Sequence, residues 1–187
     1  MPVSAVSAVS AVLVRHGESV WNAAGLLQGS THAVGLTARG RAQARAVDLR
    51  ALGTLGGPRD LRGVRILTSP QLRAVETAWI LAERVGSPVE PCAELREQGH
   101  GGWEGRPAAV YAPLLAAAGP DWAPPGGETF RELWTRVRGI DLTGAVVVTH
   151  GETIRALLAP SPEEPPRRIP PNGAVLALGG PGVMSFG

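Results

Sequence analysis

Short runs of aliphatic and β-branched residues end abruptly in polar ones at Val14, Leu67 and Val148, and between them apolar positions recur at helical spacing. The first run predicts a strand over about residues 9–15. Thr37 is placed as an N-cap, with Ala42, Ala46 and Leu49 spaced to share one face of the helix that follows. The stretch GVRILTSP, residues 63–70, predicts a short buried strand running into Ser69 as N-cap and Pro70 as first helical residue. The next helix is expected to turn Leu72, Val75, Trp79 and Ala82 inward and to stop at Gly86. Phe130, Leu133, Trp134 and Val137 mark another amphipathic helix after Gly127. AVVVTHGETIRALL then gives a central strand, a turn and a short helix, and AVLALGGPGVMSF a closing hairpin.

Alternating strands and helices predict a three-layer α/β/α sandwich with a mainly parallel central sheet and helices on both faces. At 187 residues the chain suffices for one core, so residues 1–187 are expected to form a single domain. Residues 1–8, carrying the repeated triplet VSA, are expected to be a loose tail. Residues 98–127 are rich in Gly, Pro and Ala, with at most one helix near 105–118, and are expected to cap a site.

Composition narrows the partners. All 18 basic residues are arginine, the net charge is +2, and the arginines are dispersed, which disfavours a nucleic-acid groove but suits a small anionic ligand. The single cysteine, Cys92, rules out an intramolecular disulfide and fits a cytoplasmic location. No Cys/His cluster has metal-ligand spacing, and no metal or cofactor is expected. No positive charge precedes the apolar start of the chain, so no secretory leader is expected, and no run is long enough to span a membrane.

Ligands of a mainly parallel sheet sit beyond the carboxyl ends of its strands. Three strands here end in residues of one chemical kind: Arg15 and His16, Thr68 to Arg73, and Thr149, His150 and Gly151. Two guanidinium groups and two imidazoles at one sheet edge suit a phosphate, and a helix N-terminus at Gly151 adds N–H donors. Neighbouring cations keep an attacking imidazole neutral. Glu97 stands at the start of the cap as the acid, with Glu94 and Glu104 as rivals.

These residues fall into five elements in order: Arg15-His16-Gly17-Glu18 with Trp21-Asn22, LTARG, TSPQLRAVETA, LREQGHGGWEG and THGETIRALL. Together they resemble the histidine phosphatase superfamily, the phosphoglycerate mutase-like proteins, over residues 10–178. The resemblance implies a phosphomonoesterase acting on small phosphorylated metabolites through a phosphohistidine, without metal. It implies His16 as nucleophile, Glu97 as proton donor, Arg15, Arg73 and His150 as phosphate ligands, and Asn22 and Gln28 as assisting groups. PPGGETF resembles a segment of the α-ribazole and broad-specificity phosphatases, which points to the small phosphatase branch. A phosphoglycerate mutase or bisphosphatase is the alternative. A non-catalytic phosphate-binding module would be expected to lack His16, Arg73 or His150. The loop 28–36 departs from the family pattern, with His32 near a usual Asp and Gly35 in place of Pro, and it bears on specificity. His32 and His100 are expected to be ordinary loop histidines.

Overall fold

The computed structural model describes residues 10–48 and 63–179. Its strands are β1 (Ala11–Arg15), β2 (Ile66–Thr68), β3 (Val89–Pro91), β4 (Ala145–Thr149) and β5 (Val175–Leu178). Its described helices are α1 (Val20–Ala23), α2 (Ala38–Ala46), α3 (Leu72–Val85), α4 (Ala108–Ala117), α5 (Phe130–Arg138) and α6 (Gly151–Leu158). The strands form one sheet in the order β3-β2-β4-β1-β5, with every pairing parallel except that of β5 with β1. This is the expected mixed, mainly parallel architecture.

Burial on both faces explains why the central strands read as unbroken aliphatic runs. Along β1, Leu13 packs with Val147, Leu133 and Ile154 on one side of the sheet, while Val12 and Val14 pack with Val146, Val148, Ala74 and Leu81 on the other. Helices α5 and α6 therefore cover one face and α3 the other. A capping box between Thr129 and Glu132 fixes the start of α5, a contribution of about 1 kcal/mol. Among the described residues no helix is long and apolar enough to cross a membrane.

Two helix faces differ from expectation. In α3 the buried positions are Arg73, Ala74, Thr77, Ala78, Leu81, Ala82 and Val85, whereas Leu72 and Trp79 are exposed and Val75 is half-buried. The inward face is shifted because its positions near the strand ends carry Arg73 and Thr77, polar residues bound into the site. In α2, Gly40 and Ala44 are buried, while Ala42 and Ala46 are exposed. The inward residue must be glycine there, since a Cβ on Gly40 would lie 2.0 Å from the Glu18 carbonyl oxygen. Ser69 and Pro70 precede α3 instead of opening it, and Gln71 occupies the N-cap. No turn separates β4 from α6, because His150 is itself the N-cap residue. β5 pairs with β1 as the sheet's antiparallel edge. The other half of the anticipated hairpin, the expected tail 1–8 and Leu49 lie outside the described residues.

Candidate active site

Register creates the site. Val14 lies opposite Val148 and Arg15 opposite Thr149, so the parallel strands β1 and β4 end level with one another. The His16 N–H donates to the Thr149 carbonyl at 3.0 Å, and the two imidazoles that follow sit with ring centroids 5.0 Å apart. β2 ends one residue earlier, with Thr68 opposite Val148, and the Ser69 N–H donates to the Val148 carbonyl at 3.0 Å. That offset brings Ser69 Oγ to 2.7 Å from His150 Nε2.

The loop carrying His16 is held by close backbone contact. A Cβ on Gly17 would stand 2.2 Å from the Gly40 carbonyl oxygen, so the glycines of the first two motifs serve one packing contact. The Gly17 N–H donates to Thr77 Oγ1 at 3.1 Å. Asn172 Nδ2 donates to the His16 carbonyl at 3.1 Å and to Asn22 Oδ1 at 3.2 Å. Asn172 was not singled out from the sequence; an Asn-Gly after two prolines signals only a turn.

His16 Nδ1 lies 2.7 Å from the Gly17 carbonyl, which can only accept. Nδ1 therefore carries the proton, and Nε2 keeps its lone pair. Burial, then the charges of Arg73 and Arg15, hold the His16 pKa well below its ordinary value, and burial and Arg73 do the same for His150. Both rings are neutral at physiological pH.

Arg73 is fully buried, with Nη1 donating to the Thr31 carbonyl at 2.8 Å and Nη2 to the Gly29 carbonyl at 2.9 Å. Burial brings its pKa down to about 10. Arg15 Nη1 donates to the Pro170 carbonyl. Buried Nε atoms of both arginines, and His150 Nδ1, have no protein partner.

Gln71 knits these parts together. Its Nε2 donates to the Gly29 carbonyl at 2.8 Å, and its Oε1 accepts the Glu97 N–H at 2.7 Å and stands 3.2 Å from Ser69 Oγ. Glu97 projects onto the N-terminus of α6. Its Oε1 accepts from the Thr153 N–H at 3.1 Å and from Thr153 Oγ1 at 3.2 Å, and its Oε2 accepts from the Glu152 N–H at 3.3 Å. The two rival carboxylates are elsewhere. Glu94 is exposed beside Cys92, and Glu104 accepts from Ser30, Thr31 and the His100 N–H, which fastens the loop that Arg73 grips.

A cavity of about 680 Å³ opens over this layer. Arg15, Asn22, Gln28, Glu97 and Gly151 face it; His16, Arg73 and His150 do not, being at most 1% exposed. The expected open pocket is thus a closed layer with a cavity above it. Ser19 binds the oxygens of both amides, its N–H donating to Asn22 Oδ1 at 3.1 Å and its hydroxyl to Gln28 Oε1 at 2.5 Å, so each has only its NH2 group to offer. Gly151 needs to be small: a Cβ there would meet Ile169 Cγ2 at 2.5 Å.

Four of the other residues lining the cavity were not assigned to the site from the sequence. His100, set aside on sequence, is 6% exposed and beside Glu97, and burial lowers its pKa. Its spacing of three from Glu97 was the available signal. Glu152 is pushed up to about 7 by burial and by Glu97, against the pull of Arg155 at 2.6 Å. Trp122 faces the cavity, with Trp103 packed behind it at 5.4 Å. Arg167 stands exposed at the rim.

Comparisons with known proteins agree on the lineage. The uncharacterized phosphatase PhoE of Bacillus subtilis is 32% identical over 154 residues, covering 78% of this chain and 74% of its own. Fructose-2,6-bisphosphatase TIGAR B of Danio rerio is 33% identical over 166 residues, which are 82% of this chain but 60% of that protein's length. The structure of a mycobacterial glucosyl-3-phosphoglycerate phosphatase in complex with VO3 superposes with a TM-score of 0.74 at 28% identity, covering 91% of this chain and 90% of that one. Phosphoglycerate mutases are also among the relatives, including one from Methylocella silvestris at 33% identity, covering 91% of this chain and 88% of its own. The model of the histidine phosphatase superfamily (branch 1) matches residues 11–177, so two histidines level at the ends of parallel strands, with arginines around them, mark this chain as a member of that superfamily.

Proposed function

We propose that the protein is a phosphomonoesterase that works through a phosphohistidine on His16. The observation that carries this reading is the His16 ring itself: neutral, protonated on Nδ1 by its bond to the Gly17 carbonyl, and 5.0 Å from a second neutral imidazole.

A phosphoryl group entering past Arg15 draws the guanidinium forks from the carbonyls of Pro170, Gly29 and Thr31 onto its own oxygens. Charge-assisted bonds to an anion are stronger than those to a neutral carbonyl. Nε2 of His16 attacks phosphorus, and the P–O bond to the alcohol breaks. Glu97 gives its proton to the departing oxygen, then takes one from water as that water cleaves the N–P bond, releasing phosphate and restoring both groups. Throughout, the Gly17 carbonyl holds the Nδ1 proton and offsets the positive charge of the phosphorylated ring.

Ser69 sets the second imidazole. Given to His150 Nε2 at 2.7 Å in place of Gln71 Oε1 at 3.2 Å, its single hydroxyl proton leaves that of His150 on Nδ1, the nitrogen without a protein partner. His150 thereby donates to a phosphoryl oxygen. Asn22 and Gln28 add their NH2 groups, and the Gly151 end of α6 adds the helix dipole. Residues 98–127 act as the cap, and the whole forms one domain. No step calls for a metal, and the lone cysteine fits the cytoplasm.

The mutase relatives support a second outcome, transfer of the phosphoryl group to a phosphoglycerate. One experiment addresses both. The protein, stripped with chelator, is mixed with labelled nitrophenyl phosphate or, in a parallel sample, with labelled 3-phosphoglycerate, and quenched in base. Label is expected on His16 and then in free phosphate, and His16→Ala is expected to show neither. Unimpaired turnover by His16→Ala would falsify the mechanism, and label passing from one phosphoglycerate isomer to another would make the protein a mutase.

A further inference from the structure

The cavity has a mixed lining. Arg15, Gln28 and Glu97 line it together with an apolar wall of Ala112, Leu115, Trp122, Phe130 and Ile169, and Ile169 adjoins Arg15 where both approach Gly151. Helix α4, which supplies Ala112 and Leu115, has the sequence AAVYAPLLAA and buries none of its residues. Trp122 and Ile169 are 44% and 49% exposed. Phe130 packs on the core and Trp122 on Trp103, but the apolar faces that these residues and Ile169 turn to the opening gain nothing more until something apolar covers them.

Charge on this wall is already committed. Beyond Arg15 the cavity meets two guanidinium groups and, besides Glu97, the carboxylates of Glu152 and Glu163. Arg155 donates to the Pro166 carbonyl and to Glu152, each at 2.6 Å. Only Arg167, at the exposed rim, has no described partner. Glu152 is paired with Arg155 and Glu163 with Arg131, each at 2.6 Å, so a second phosphate or carboxylate on a substrate would lose its water and gain one solvated cation, a poor exchange.

Building on the phosphatase reading above, the geometry points to a substrate class: phosphomonoesters whose alcohol is apolar and uncharged, of the size of an aromatic ring or more. Esters carrying a second anion are disfavoured. The preference comes from the wall formed by α4, Trp122, Phe130 and Ile169 and is separate from the groups that hold phosphorus.

The test separates binding from turnover. Calorimetry on the intact protein compares benzylphosphonate with methylphosphonate, neither of which can be hydrolysed. Covering part of a phenyl ring is expected to tighten binding about tenfold. In parallel, kcat/KM for benzyl phosphate is expected to exceed that for 3-phosphoglycerate by about tenfold or more. Ala112 is exposed to the cavity, so Ala112→Asp leaves the core intact and is expected to bring the ratio of the two phosphonate affinities below about threefold. Equal affinity for the two phosphonates, an unchanged ratio in Ala112→Asp, or preference for 3-phosphoglycerate overturns the inference. A tenfold contrast in binding with no turnover of any ester supports the apolar wall and overturns the phosphohistidine reading instead.

Discussion

The layer beneath the cavity and the wall beside it are built on opposite plans. In the layer, His16, Ser69, Gln71, Arg73 and His150 are at most 1% exposed, and they are held by sheet register, by a glycine-to-glycine contact and by a hydrogen-bonded chain. The wall has no strand in it, and its helix α4 buries no residue. A group that must meet phosphorus within a fraction of an ångström is fixed by the most rigid element available. On the inference drawn above, recognition of the alcohol falls to α4, a segment whose substitution costs the core little. The difference teaches that chemistry and specificity are separable here, so damage to one region should spare the other.

The sharpest break is expected at the boundary between them. Glu97→Gln keeps the shape of the side chain but removes the transferable proton. Turnover of benzyl phosphate is expected to fall by about 10² to 10⁴, and that of nitrophenyl phosphate by less than about tenfold, because nitrophenolate leaves unaided. Equal losses on the two esters would remove Glu97 from the acid role.

A smaller effect is expected beneath the layer. Ser69→Ala leaves His150 Nε2 without its partner and frees the ring to carry its proton on either nitrogen. A loss of about tenfold in kcat/KM is expected, the scale of one buried hydrogen bond, with Ser69→Thr recovering most of it. Nitrogen NMR of labelled histidine gives the direct check: the wild-type proton should sit on His150 Nδ1, and a spectrum placing it on Nε2 would contradict the assignment.

The gentlest probe is pH, which titrates the layer without altering it. Unfolded, His16 and His150 titrate near 6.5, whereas folded they resist protonation to well below that value. The unfolded chain therefore binds the extra protons, and the stability these rings contribute is whole above about 6.5 and is lost as pH falls. Glu152 runs the other way. Its carboxyl is raised from 4.5 to about 7, so its contribution is whole below 4.5 and declines as pH rises through that window. Two rings against one carboxyl predict a lower melting temperature at pH 5 than at pH 7. Glu152→Gln removes the opposing contribution and should steepen that fall. A melting temperature that rose on acidification would show that the rings are not held neutral.

Much of the layer was legible in the sequence because strands announce their ends. An aliphatic run that stops at Arg-His-Gly or Thr-His-Gly says where the sheet edge lies, and Arg15, His16, His150 and Gly151 stand at that edge. Helix faces were less legible. Leu72 and Trp79 looked like core and are exposed, because the inward positions of α3 near the site went to Arg73 and Thr77. Hydrophobic periodicity fails first where a helix serves the site, since buried polar residues take the places that apolar ones would mark. The edge strand β3 escaped notice for a related reason: Val89–Pro91 is three residues long and only partly buried.

Taken alone, the sequence determined that this chain has a mainly parallel sheet with two imidazoles and Arg15 at the strand ends, because residue order along a strand dictates what emerges from its tip. Only the tertiary structure decided that His16 turns Nδ1 to the Gly17 carbonyl, that Gln71 and Ser69 couple the parts of the layer, and that apolar side chains share the cavity lining with charged ones. These properties depend on distances between residues far apart in the chain, set by sheet register and by the close approach of Gly17 to Gly40, and no local pattern encodes them.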